Sequence, residues 1–171
     1  MRYKLLKANI LMIAACYSSF SLSSPYPYDD ESLLQAVKSA YSKYETKTGF
    51  CREMRKRDVS EVNSKWLAEQ PIKIQKLALV IVGRIVFDRC VTPEKQNYLL
   101  VVMDYTSQTG DMTYMNESLT LNKSFYFPQT TDDLKNIPEH EIKVLTELPE
   151  LYYPFDHFQV VDIVTKDPSV K

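Results

Sequence analysis

The sequence predicts an α+β domain in which N-terminal helices pack on one face of an antiparallel sheet of about four to five strands. Apolar residues recur at helical spacing in the N-terminal third, whereas from residue 72 onward they alternate or form β-branched runs bounded by turn residues. A chain of 171 residues has room for one ordinary domain. We place this single domain at residues 29–167 and assign residues 168–171 to a polar tail.

The first predicted helix begins at Asp29 or Asp30, since either carboxylate can cap it, and ends near Thr46. Gly49 follows as the expected stop signal. The apolar positions of this segment are Leu33, Leu34, Val37, Ala40, Tyr41 and Tyr44. Their spacing predicts a helix that buries one face.

The second predicted helix begins at Asp58 and ends before Pro71, because the residue that precedes a proline disfavours helical geometry. Glu61 follows the proposed cap by three residues, as in a capping box. A further helix is predicted from Pro138 to Leu148, later in the chain, where apolar residues again follow a helical period.

Five segments are predicted to be strands: 77–87, 98–105, 112–121, 125–127 and 158–164. The first is rich in β-branched residues and apolar on both alternating faces, which is typical of a central strand covered on both sides. A membrane span is excluded there, because charged residues bound an apolar run that is too short to cross a bilayer. Turns are expected around Pro93 and around Gly110.

Residues 1–15 have the composition of a secretory signal peptide. Arg2, Lys4 and Lys7 provide positive charge, and the short apolar run 8–15 follows them. This run is too short for a comfortable membrane span. A buried N-terminal helix or an uncleaved anchor is the alternative interpretation.

The segment Ile13-Ala14-Ala15-Cys16 resembles the signal of bacterial lipoproteins, in which an aliphatic residue and two small residues precede a cysteine. The resemblance is confined to this targeting segment, and it implies cleavage before Cys16 and acyl chains attached to Cys16. Residues 16–28, rich in serine and proline, would then be a tether to a membrane. An ordinary signal peptidase site at Ser21-Leu22-Ser23, with a cut near residue 23, is the alternative.

Composition excludes several classes of function. The chain has 21 basic and 22 acidic residues, a net charge of −1, which disfavours a general nucleic-acid binder. It has only 3 glycines, and no motif of a phosphate-binding loop, a nucleotide fold, a serine nucleophile or a metal site is present. We therefore expect no cofactor, no metal and no catalytic residues. An enzyme with a dispersed site near Asp156 and His157 is kept as an alternative.

Three cysteines are present, at positions 16, 51 and 90. If the first is lipidated or removed with the leader, an exported compartment favours a disulfide bond between Cys51 and Cys90. Two separate buried thiols are the alternative.

Two segments are candidate partner-binding sites. The first is the basic run Arg52, Arg55, Lys56 and Arg57, which suits an acidic partner but is also compatible with a solvated helix end. The second is the aromatic group Tyr152, Tyr153 and Phe155, whose residue types are enriched at interface hot spots and in cores alike.

These observations lead to one functional expectation. The protein is expected to be an exported bacterial envelope lipoprotein with a non-enzymatic structural or binding role. We expect it to be an accessory subunit of a periplasmic or outer-membrane assembly, with a secretion-type assembly as one example. Its expected partners are proteins of the cell envelope and, through its lipid anchor, a membrane, with no nucleic acid. A secreted binding or inhibitor domain is the second hypothesis.

Overall fold

The computed structural model describes residues 29–123 and 137–166. All regular structure within these residues is helical: α1 (Asp30–Met54), α2 (Lys65–Glu69), α3 (Ile72–Thr109), α4 (Thr113–Lys123), α5 (Glu139–Glu147) and α6 (His157–Lys166). The expectation of an α+β domain with an antiparallel sheet is therefore wrong, since no strand occurs in the described ranges. The predicted leader, tether, strand 125–127 and tail lie outside these ranges.

The central element is α3, whose 38 residues extend over about 57 Å at 1.5 Å per residue. Two of the predicted strands, 77–87 and 98–105, are consecutive parts of this one helix, and Pro93 lies inside it rather than in a turn. The helix ends at Gly110, which has the left-handed φ of 75° and donates its N–H to the carbonyl of Thr106 at 2.9 Å.

The reason for the wrong prediction is visible in the burial of α3. Its buried residues are Gln75, Ala78, Leu79, Val82, Val86, Val91, Tyr98, Val102 and Tyr105. Their separations are mostly three, four or seven residues, which is a helical period. Partly buried apolar residues such as Leu77 and Ile81 lie on other sides of this part of the helix and also pack against the core, which obscures that period in the sequence. Tertiary packing thus overrides the β-preference of the branched side chains.

The helix α1 lies antiparallel to α3. The ring of Tyr41 lies 5.4 Å from that of Tyr98, and further along α1 the sulfur of Cys51 lies 2.00 Å from that of Cys90. Asp29 caps α1, as predicted, by accepting the N–H of Ser32 at 2.7 Å. However, α1 does not stop near residue 46, because it continues through residue 49 to Met54.

Two separate cores lie along α3. The core at the first half of α3 contains Val59, Leu67, Ala78, Leu79, Val82, Val86, Ile137, Ile142, Leu145, Leu151, Phe155, Val160 and Val161. The core at the second half contains Leu33, Val37, Ala40, Tyr98, Val102 and Tyr105, with Tyr114 and Met115 of α4 packed against it. Cys90, the partner of Cys51 of α1, lies on the stretch of α3 between them.

The remaining elements complete the first core. The predicted second helix is shorter than expected: α2 begins at Lys65, and its cap is Ser64, not Asp58. The predicted helix 138–148 is confirmed as α5. Of the segments predicted as strands, 112–121 lies in α4 from residue 113 onward, and 158–164 lies in α6. None of the helices in the described ranges has both the length and the apolarity that a membrane span requires.

Candidate functional site

Arg57 joins the two segments that the sequence singles out as candidate binding sites. Its guanidinium donates from Nε to the carbonyl of Pro154 at 3.0 Å and from Nη2 to that of Tyr153 at 3.0 Å. It also donates from Nη2 to the carbonyl of Glu150. A planar guanidinium has five donors in a fixed arrangement, so one side chain can bind several carbonyls of a bent chain. We call residues 150–155, which Arg57 holds in this way, the clamped loop.

The clamped loop buries some side chains and exposes others. Leu151, Pro154 and Phe155 are buried in or beside the first core. Tyr152 and Tyr153 are 39% and 54% exposed, with their ring centroids 5.1 Å apart in an edge-to-face arrangement. Phe155 therefore supports the loop from within, and the two tyrosines face solvent.

Arg89 of α3 holds the same loop from a second direction. Its guanidinium lies 4.6 Å from the ring centroid of Tyr152, which is cation–π geometry. It also donates to Glu147 Oε1 at 2.7 Å and to the carbonyl of Thr146 at 3.2 Å, at the end of α5. Sequence reasoning missed Arg89, because a single arginine that follows the predicted strand 77–87 carries no sign of its distant partners.

Asp156 and His157 follow the clamped loop at the start of α6. Asp156 Oδ1 accepts the N–H of Phe158 at 2.9 Å, so this carboxylate caps the helix. Burial lowers the pKa of His157, and the positive charge of Arg55 lowers it further, whereas the charge of Asp156 acts in the opposite direction. The imidazole also lies against the Phe158 ring, 4.2 Å between centroids. Helix capping and packing thus account for the geometry of both residues.

The other members of the basic run have different surroundings. Lys56 Nζ binds the carboxylate of Glu53 at 2.7 Å, with both side chains largely exposed. Arg52 lies exposed in the last turn of α1, where a cation is favourable next to the helix C-terminus. Arg55 is half-buried close to His157. The four basic residues therefore do not form one uniform patch.

One mixed surface results from these contacts. It combines Arg57, Arg89, Tyr152 and Tyr153 at the clamped loop with Arg55 and Phe158, the neighbours of His157, which follows that loop in the chain. Phe158 is 72% exposed, the highest value among the exposed large apolar side chains of the described residues. We call these six residues the tyrosine–arginine surface. Its exposed rings and its cations are the residue types that dominate the energetics of many protein interfaces.

The predicted cysteine pair lies close to this surface along the chain. Cys51 and Cys90 are at disulfide distance, with 2.00 Å between the sulfurs, and Cys51 has no exposed area. This agrees with the predicted disulfide bond. Cys16, the predicted lipidation site, lies outside the described residues.

No group of three or more histidine, cysteine or acidic side chains that could hold a metal ion occurs within residues 29–123 and 137–166. His140 Nε2 lies 3.3 Å from the carboxylate of its neighbour Glu141 on the exposed first turn of α5. Comparison with models of protein families, with curated proteins and with solved structures found no match for this chain.

Proposed function

We propose that this protein is an exported, non-enzymatic binding protein of the bacterial envelope, and that it contacts a protein partner through the tyrosine–arginine surface. The observation that carries this proposal is the clamp itself: Arg57 binds main-chain carbonyls on both sides of two exposed tyrosine side chains. The contacts of Arg57 thereby hold the loop backbone without the use of the tyrosine rings.

A loop of this kind suits protein recognition on energetic grounds. Binding orders flexible side chains and loops, and that ordering costs free energy. A loop already held by Arg57 and Arg89 loses little further freedom, so more of the contact energy remains for the partner. Tyrosine rings supply large contact areas, and the half-buried arginines next to them favour a partner surface with acidic residues.

The cellular setting rests on separate support. The Cys51–Cys90 pair is compatible with an oxidising compartment, such as the periplasm, where structural disulfides persist. The leader-like composition of residues 1–15 and the resemblance of residues 13–16 to a lipoprotein signal support export with an acyl anchor on Cys16. We therefore place the protein on the periplasmic side of a membrane, most simply the outer one, as an accessory subunit of an assembly.

The test is purification of the tagged full-length chain from detergent-solubilised envelopes of its own cells, after cross-linking, with mass measurement of its N-terminus. Tyr153→Ser should reduce the recovery of a stoichiometric partner by about fivefold or more, since hot-spot tyrosines dominate such interfaces. The matched control is Met103→Ser on α3, because Met103 is 56% exposed but lies at the other end of the helix. Circular dichroism should show both variants folded.

Equal recovery of the partner by both variants, or no stoichiometric partner at all, would contradict the binding role. A mature N-terminus at Cys16 that carries acyl chains supports the anchor. An unmodified N-terminus near residue 23, with the protein in the medium, favours the second hypothesis of a secreted binding or inhibitor domain.

A further inference from the structure

A groove lies between α1, α3 and α4, at the second core and away from the clamped loop. Its volume is about 490 Å³. The described residues that line it are Tyr41, Tyr98, Asn116, Glu117 and Thr120. Pockets that hold small organic ligands fall in the range of roughly 300–1,000 Å³, so this groove has the size of a small-molecule site.

One wall of the groove is aromatic. The rings of Tyr41 and Tyr98 have their centroids 5.4 Å apart and are inclined by 60°. Tyr44 stacks behind Tyr98, with 6.1 Å between centroids and nearly parallel planes. Tyr98 is almost fully buried, whereas Tyr41 is 37% exposed at the rim. The ring of Tyr41 therefore presents π-electron density to an occupant, and Tyr98 supports it from within with only a small accessible edge.

The electrostatics of the groove are negative. Glu117 lines it, and none of the described lining residues is a cation. Burial, a hydrogen bond to Glu45 and the negative charges of Glu45 and Glu117 all raise the pKa of Tyr41. Burial, followed by the charge of Glu117, likewise raises the pKa of Tyr98. The carboxylate of Glu117 is therefore close enough to contribute to the raised pKa of both tyrosines.

We propose that this groove binds the ammonium group of a small organic cation. A quaternary or primary ammonium would lie against the ring of Tyr41, beside the small accessible edge of Tyr98, with Glu117 as its counter-charge and Asn116 and Thr120 as polar neighbours. Aromatic side chains attract such cations through their quadrupoles, at exposed sites as well as at desolvated ones. The inference depends on the geometry and the charge of the groove, so it is independent of the proposed partner surface.

Other occupants fit the groove less well. A neutral apolar group would gain nothing from the charge of Glu117, and an anion would be repelled by it. Trimethylammonium is a suitable probe because it is cationic, weakly hydrated and apolar on its surface. Its neutral carbon analogue has the same shape without the charge, and therefore separates electrostatic attraction from simple apolar burial.

The experiment titrates the full-length chain with choline and, in parallel, with 3,3-dimethylbutan-1-ol, while NMR follows the tyrosine ring protons. Choline should shift the rings of Tyr41 and Tyr98, with a dissociation constant about tenfold or more below that of the alcohol. Equal affinity for the two probes, or no choline binding at tens of millimolar, would overturn the proposal.

Two variants test the assignment of roles. Glu117→Gln removes the counter-charge and Tyr41→Leu removes one ring while keeping an apolar side chain, and each should weaken choline binding by about fivefold or more. Glu139→Gln, an exposed carboxylate on α5, is the matched control and should leave the affinity unchanged. Unchanged affinity in both test variants would also overturn the proposal, and circular dichroism checks that all three remain folded.

Discussion

Arg57 and Tyr153 are 96 residues apart in the sequence, and the guanidinium of the first donates to the main-chain carbonyl of the second at 3.0 Å. Because the bond uses the backbone of Tyr153, its ring remains 54% exposed. The contact therefore separates two roles within one loop: Arg57 positions the chain, and Tyr153 remains available to a partner. Substitutions at the two positions should have different consequences.

Arg57→Ala should reduce the free energy of unfolding by about 2 kcal/mol, because it removes charge-assisted hydrogen bonds to three carbonyls of a partly buried loop. Arg57→Lys should lose part of this stability, since an ammonium cannot reproduce the planar arrangement of donors. Urea denaturation followed by circular dichroism measures both changes.

The matched control is Lys56→Ala, because Lys56 forms only an exposed ion pair with Glu53. Exposed pairs contribute about 0.2–1 kcal/mol, so this variant should stay close to the wild type. Equal stability of Arg57→Ala and Lys56→Ala would mean that the clamp does not hold the loop.

The Cys51–Cys90 pair should be a major contributor to stability. It closes a loop with a sequence separation of 39, between the C-terminal end of α1 and the middle of α3. The chain-entropy relation for a loop of this size gives about 4 kcal/mol. The double variant Cys51→Ala/Cys90→Ala should lower the free energy of unfolding by roughly this amount.

The control for the disulfide is the reductant itself. Reductant should lower the urea midpoint of the wild type and leave that of the double variant unchanged. A wild type that is insensitive to reductant, or that contains two free thiols after denaturation without reductant, would show that the bond does not form.

The sequence predicts some helices well because their environment is simple. In α1 one face packs on α3 and the other faces solvent, so the helical period of Leu33, Val37 and Ala40 is plain. In α3 the residues around Val82 pack against several elements, so apolar residues appear on every side. Such a run has no clear period, and the β-branched side chains then favoured the wrong prediction of a strand.

The candidate site could likewise be predicted only in part. Residue type alone identifies Arg57 and Tyr153, but which carbonyls Arg57 binds depends on contacts across 93 to 97 residues. The groove at Tyr41 and Tyr98 depends on the antiparallel pairing of α1 with α3, which the predicted sheet did not contain. Local patterns therefore identify residue types, and tertiary pairing decides what they form.

His157 should make stability depend on pH. Its pKa is lowered in the folded protein, chiefly by burial and then by Arg55, so the unfolded chain binds a proton first as the pH falls. Stability is therefore complete above the unfolded pKa of 6.5 and decreases as the pH falls from there to the folded pKa. In the variant His157→Gln, the urea midpoint should therefore depend less on pH within this window.

NMR titration of the His157 ring checks the cause. Arg55→Gln removes the nearby positive charge and should raise the pKa of His157, although burial should still hold it below 6.5. A ring pKa at or above that value in the wild type would contradict the assigned surroundings of His157.

Gly49 and Gly110 should respond in opposite directions to alanine. Gly49 lies inside α1, and nothing lies within 4 Å of where its Cβ would be, so Gly49→Ala should raise the free energy of unfolding by about 0.5–1 kcal/mol. Gly110 has a φ of 75° at the end of α3, where a Cβ is strained, so Gly110→Ala should lower it by about 1–2 kcal/mol. Urea denaturation of the two variants compares them directly. A destabilising effect of Gly49→Ala would mean that α1 ends near residue 46, with Gly49 as its stop. A helix stop favours glycine, whereas a helix interior favours alanine.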